Sequence, residues 1–132
     1  MDYMDRMHDC PKCGIERWAG TIHICKERSD LTFDKLREAN FNRKQEAVFP
    51  SHDWTLAQWA CAMAGEAGEA CNVIKKIFRG DEGITKEMLA KELADVIIYA
   101  DLLAHAANID LGQAVVDKFN EVSVRRGALT KL

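Results

Sequence analysis

The chain has 132 residues, a formal net charge of −3 at pH 7, 48% hydrophobic and 30% charged residues. That length fits one domain plus a small appendage, with enough apolar residues for a core. The charge excludes an overall basic field for nucleic acid or anionic membranes, no apolar run approaches the ~18–20 residues that cross a bilayer, and Met1 to Asp9 lacks an apolar h-region, so a cytoplasmic protein is expected.

Residues 1–30 are short of aliphatic periodicity and rich in Cys, His and charge. The chain has five cysteines, and an odd count without a secretion signal argues against a disulfide scaffold. Cys10-Pro11-Lys12-Cys13-Gly14 reads as a zinc knuckle, with two thiolates at i, i+3 on one ion and Gly14 permitting a tight turn. His23 and Cys25 are the best candidates to complete a closed, structural tetrahedral Zn²⁺ site, with His8 in reserve. Two unpaired thiols in a tail are the plainer alternative. A redox Cys-x-x-Cys is disfavoured because no βαβ pattern surrounds it. Cys61 and Cys71 stand apart in an Ala-rich helical pattern, where a free Cys is expected to be a small buried hydrophobe.

Residues 31–132 form the second region, and their periodicity predicts four helices. The first spans roughly 32–47, with Leu36, Ala39 and Ala47 facing inward, and breaks at Pro50 and Ser51. The second starts near Thr55, where Thr55 and Gln58 form a capping box, and ends at Arg79-Gly80. The third runs from about Thr85 to Ala107 on an apolar stripe of Leu89, Leu93, Val96, Ile97, Ala100 and Leu103 or Ala104. The fourth follows Asp110 and ends near Arg125-Arg126-Gly127. Nothing alternates with period two over a useful length. The short connections imply antiparallel neighbours, so the fold class is all-α: an antiparallel helical bundle with a small N-terminal Cys/His zinc knuckle.

Two acidic pairs carry the chemistry. Glu66 and Glu69 lie at i, i+3 on the second helix, and Glu92 and Asp95 at i, i+3 on the third. That spacing puts both side chains of a pair on one face, with Cβ atoms ~5–6 Å apart. Carboxylates so close repel unless a cation sits between them. Glu66 and Glu69 are set among Ala and Gly, which permit close approach, and Glu92 and Asp95 lead into Val96-Ile97-Ile98. On antiparallel neighbours the pairs can face each other, and an all-oxygen set suits Mg²⁺, with Mn²⁺ as a substitute. A solvated acidic face is the competing reading. A di-iron bundle fits less well, because no His follows either first Glu at i+3.

With those residues in view, the chain resembles the all-α nucleotide pyrophosphatases: the MazG-like, dCTP-pyrophosphatase and dimeric dUTPase superfamily. The resemblance rests on Gly65-Glu66-Ala67-Gly68-Glu69, on Lys91-Glu92-Leu93-Ala94-Asp95-Val96-Ile97-Ile98-Tyr99, and on the later basic helix Asp117 to Gly127. It covers about residues 31–127 and is closest to short MazG-like proteins of bacteria and phages. It implies Mg²⁺-dependent cleavage of a nucleoside or deoxynucleoside triphosphate to monophosphate and pyrophosphate. Glu66, Glu69, Glu92 and Asp95 would hold the metal, with Glu66 or Glu69 orienting or deprotonating the water. It also implies a homodimer or homotetramer.

Further positions carry over by the same resemblance. Tyr99, one turn beyond Asp95, would touch substrate. Lys118, Asn120 and Arg125 on the last helix, and Lys76 with Lys75 after the acidic face, would meet the phosphates. His52 and Trp54 would meet the base, and Trp59 shares the side of Glu66 but serves equally as core or interface. Gln58 stands where dCTP-selective members carry Asn, which leaves base preference open. Two other classes stay in play: a non-catalytic binding module built on the zinc knuckle, and a metal-carboxylate sensor or oxidase.

Overall fold

In the computed structural model the described residues are 7–9, 16–18, 30–46 and 54–132. The chain divides into two compact units, Met1–Leu31 and Thr32–Leu132. In the first, β1 (Met7–Asp9) pairs antiparallel with β2 (Glu16–Trp18), with His8 opposite Arg17. Cys10, Cys13, His23 and Cys25, the residues expected to hold zinc, lie outside the described residues, as do His52, Ala47 and Pro50.

The second unit is all-α, with four helices among the described residues: α1 (Phe33–Lys44), α2 (Leu56–Arg79), α3 (Lys86–Ala106) and α4 (Leu111–Arg126). Each start has a side-chain cap. Thr32, Thr55, Thr85 and Asp110 each accept from the backbone N–H three residues on, satisfying a donor that the helix leaves free. At Thr55 the box is complete, because Gln58 Oε1 also accepts from the Thr55 N–H at 2.9 Å. Gly80 and Gly127 close α2 and α4 at φ 75° and 69°, a left-handed conformation that costs other residues about 1 kcal/mol. α1 ends three residues before its expected limit: Gln45 and Glu46 N–H groups turn back to the carbonyls of Asn42 and Arg43, a tightened last turn.

The chain reverses between Gly80 and Thr85, and α2 packs along α3, the principal helix pair of the unit. α3 is central: it also meets α1 and α4, while α4 meets α1 and α3 but not α2. The deep core is small. Among the described residues the buried apolar side chains are Trp59, Ala70, Val73 and Ala104. The expected α3 stripe is only partly buried: Leu93 and Ile97 are 51% and 49% exposed, while Ala104 is inside. Cys61 and Cys71 are both exposed, which corrects the expectation that they are buried hydrophobes. They fall on the side of α2 turned away from α3, where the Ala-rich context reflects helix propensity and not burial.

A polar knot ties α1 to α3. Asp101, 1% exposed, accepts from Arg37 Nε at 2.8 Å on one oxygen and from Asn40 Nδ2 at 2.9 Å on the other. Asn40 is itself buried, and its own carbonyl accepts from Arg43 Nη2 at 3.1 Å. Both oxygens of the buried carboxylate are thus satisfied, the condition under which a buried charge is tolerated. The knot holds the middle of α1 against the C-terminal half of α3. No helix among the described residues is long and apolar enough to cross a membrane.

Candidate metal centre

α2 and α3 bring three of the four expected acids together. Glu66 is half-buried, Glu69 exposed and Glu92 half-buried. One carboxylate oxygen from each lies within 4.8 Å of the others. Ligands to Mg²⁺ sit ~2.1 Å from the ion, so opposed oxygens are about 4.2 Å apart. Oxygens held within that limit are spaced on the scale of one coordination shell. Three hard oxygen donors with open positions match a cation that retains water and phosphate oxygens.

Asp95 is half-buried one turn beyond Glu92 and stands outside this tight group. It still acts on the group. Burial pushes the Glu66 carboxyl above the ordinary carboxylate range, and the charges of Glu69, Asp95 and Glu92 push it further. Burial is the larger cause, and a divalent ion among these carboxylates would offset the repulsion that adds to it. The glycines beside the acids do not serve packing within the chain. A Cβ added at Gly65 or Gly68 meets nothing within 4 Å.

A cavity of about 190 Å³ opens beside Asp95. Its walls include Trp54, Trp59 and Tyr99, with Arg43 and Lys44 entering from the end of α1. The Trp54 and Trp59 rings lie 4.7 Å apart at 53°, and Trp59 lies 6.3 Å from Tyr99 at 46°. These tilted pairs form one aromatic wall. Lys44 Nζ sits 5.6 Å above the Trp59 ring, near the outer limit of a cation–π contact. Trp59 is 2% exposed, and its indole Nε1 is buried without a hydrogen-bond partner among the described residues.

Trp54 and Tyr99 were expected near substrate, and the structure brings both to the wall that contains Asp95. Lys76, Lys118, Asn120 and Arg125 do not line this cavity. Lys76 is half-buried in the last turn of α2, where its charge helps hold the Asp81 carboxyl below its usual range, behind the larger effect of Arg79. On α4, Lys118 pairs with Glu121 at 2.7 Å. Asn120 is engaged with the backbone N–H and C=O of Leu132, and Arg125 is exposed. Because α4 does not pack on α2, no helix contact within the chain carries these three side chains to Glu66 and Glu69. Arg43 and Lys44 went unnoticed in the sequence. A basic pair in the last turn of a helix is ordinary dipole compensation, so their spacing gave no signal.

The chain matches no family model and no curated protein.

Proposed function

We propose that this chain is a divalent-cation-dependent nucleoside triphosphate pyrophosphohydrolase of the MazG-like kind, an all-α fold with which the helical unit is compatible. The observation that carries this reading is the convergence of Glu66, Glu69 and Glu92 oxygens within 4.8 Å on two adjoining helices. Mg²⁺ is the favoured ion, with Asp95 joining the set as the side chains close. When bound, the ion neutralises phosphate charge and lowers the pKa of a coordinated water.

In this reading Glu66, Glu69, Glu92 and Asp95 hold the triphosphate through the cation. Glu66 or Glu69 accepts a proton from the attacking water. The water oxygen bonds to the α-phosphorus, the bond from that phosphorus to the bridging oxygen breaks, and pyrophosphate leaves with the electron pair. The neighbouring aromatic wall takes the base. Copies of the chain associate through apolar side chains left exposed on α2 and α3, among them Ile74, Leu93 and Ile97. A homodimer or homotetramer follows.

The test is turnover of a panel of ribo- and deoxynucleoside triphosphates with Mg²⁺, resolving monophosphate, diphosphate and pyrophosphate. Equal amounts of monophosphate and pyrophosphate are expected. Glu69→Ala should reduce the rate by about 10²–10⁴-fold, the range for losing a proton acceptor or charge-positioning group. A folded protein that turns over nothing with Mg²⁺ or Mn²⁺, or a Glu69→Ala variant as active as its parent, overturns the proposal.

A further inference from the structure

α4 meets α1 and α3 and leaves one flank uncovered. A broad cavity of about 600 Å³ runs along that flank, lined by α4 and by Ala128 just past its end, and by no other described element. Val115, Phe119 and Val122, at i, i+4 and i+7, form one apolar row in it. At 1.5 Å per residue the row is ~10 Å long, about two helical turns. Val115 and Phe119 are exposed, Val122 is half-buried, and Ser123 makes the buried edge.

The charges beside the row have one sign. Lys118 and Arg126 line the cavity, and Arg125 follows Lys118 by two turns on the same edge. The two acids of α4, Asp117 and Glu121, do not line it. Glu121 holds Lys118 at 2.7 Å, but both ends of that pair are exposed, so an incoming carboxylate replaces it at small cost. Neither Arg125 nor Arg126 has an ion-pair partner among the described residues. These cations also decide against a second copy. An antiparallel two-fold pairing of α4 on its apolar row sets Lys118 beside Arg125 of the other copy, twice over, and a parallel one sets Arg126 against its own counterpart. An anionic membrane fits less well too. The row is two turns long and ends at Ala128, narrower than the broad face that lies in a lipid interface, and the whole chain carries a net charge of −3.

We propose that this flank of α4 is a docking groove for an acidic amphipathic helix of another protein. The incoming helix lays an apolar seam on Val115, Phe119 and Val122 and sets Asp or Glu side chains beside Arg125 and Arg126. Phe119, in the middle of the row, is the anchor that gives the seam most of its affinity. The cations select the sign of the partner and exclude a basic helix with the same seam. The groove stands apart from the acids of α2 and α3, since α4 does not pack on α2, and the proposal does not rest on the triphosphate reading.

The experiment uses the full chain and two fluorescein-labelled peptides of about 21 residues, each with Leu at heptad positions a and d. One carries Glu at e and g and the other Lys, so like charge keeps each peptide alone in solution. Fluorescence anisotropy should show saturable binding of the Glu peptide, at least about tenfold tighter than the Lys peptide. Arg125→Glu with Arg126→Glu should invert that preference, and Phe119→Ala should weaken binding of the Glu peptide by about tenfold, with helical circular dichroism retained in both variants. Equal binding of the two peptides, no saturable binding, or a preference for the Glu peptide that survives the double charge reversal would each overturn the proposal. The two other occupants would overturn it as well. A sedimentation coefficient that falls on Phe119→Ala assigns the flank to a second copy. Binding to mixed phosphatidylserine and phosphatidylcholine vesicles that the double charge reversal abolishes, with no Glu peptide bound, assigns it to a membrane.

Discussion

Glu66 is a glutamate whose surroundings favour its protonated form, through burial first and three neighbouring carboxylates after it. For an acid whose folded-state pKa is raised, the contribution to stability is fully present below the unfolded pKa and is lost as pH rises through the folded value. The metal-free protein should therefore lose stability as pH climbs from the ordinary glutamate range past the raised Glu66 value. Glu66→Gln removes the titration. Melting curves with a chelator should show a shallower decline in that window for Glu66→Gln than for the parent, and added Mg²⁺ should raise the parent's melting temperature more than the variant's. Asp101 makes the opposite case, a charge whose partners are all in place. Asp101→Ala removes the carboxylate that Arg37 and buried Asn40 share, leaving them only the longer bonds to the Ile109 and Ile98 carbonyls, and should cost about 3 kcal/mol in urea unfolding. The sequence displayed the acids openly, because two i, i+3 pairs on successive helices form a local pattern. It concealed Asp101, Asn40 and Arg37, because their partnership spans more than sixty residues and no local rule marks it.

At the level of the element, the starts of α2, α3 and α4 and the stops of α2 and α4 were legible because each is written in cap chemistry. Thr55, Gln58 and Gly80 do in the structure what their types favour. Thr55→Ala should cost ~1 kcal/mol in chemical denaturation by leaving the Gln58 N–H without its side-chain acceptor at the head of α2. The end of α1 was less legible, since no glycine or proline marks it and the last turn simply tightens at Gln45. That difference matters, because the turn holds Arg43 and Lys44 at the cavity. Which face of α3 is buried was only half legible. Leu93 and Ile97 fit an inward stripe by period, yet they are 51% and 49% exposed among the described residues. Periodicity identifies an apolar face but not whether the same chain or another copy covers it.

Across the helical unit, Ile74, Leu93 and Ile97, together with Phe119 on α4, are large apolar side chains left exposed, while the deep apolar core among the described residues is Trp59, Ala70, Val73 and Ala104. The association proposed for this chain would cover the part of that surface on α2 and α3, and it should be visible as a sedimentation coefficient above that of a monomer. Leu93→Glu with Ile97→Glu should shift the protein toward monomer, while the helical circular dichroism of a dilute sample is retained. The all-α class was readable in the sequence, since period and caps agreed along the chain. The aromatic cavity was not, because Lys44, Trp59 and Tyr99 come from three helices and meet only through the arrangement around α3. The account depends most on the bond that is cut. Hydrolysis of a nucleoside triphosphate in ¹⁸O-labelled water with Mg²⁺ decides it by the position of the label. Label in the nucleoside monophosphate, with none in pyrophosphate, is the result expected for attack at the α-phosphorus. Label in pyrophosphate or in inorganic phosphate, or no labelled product from folded protein, would contradict it.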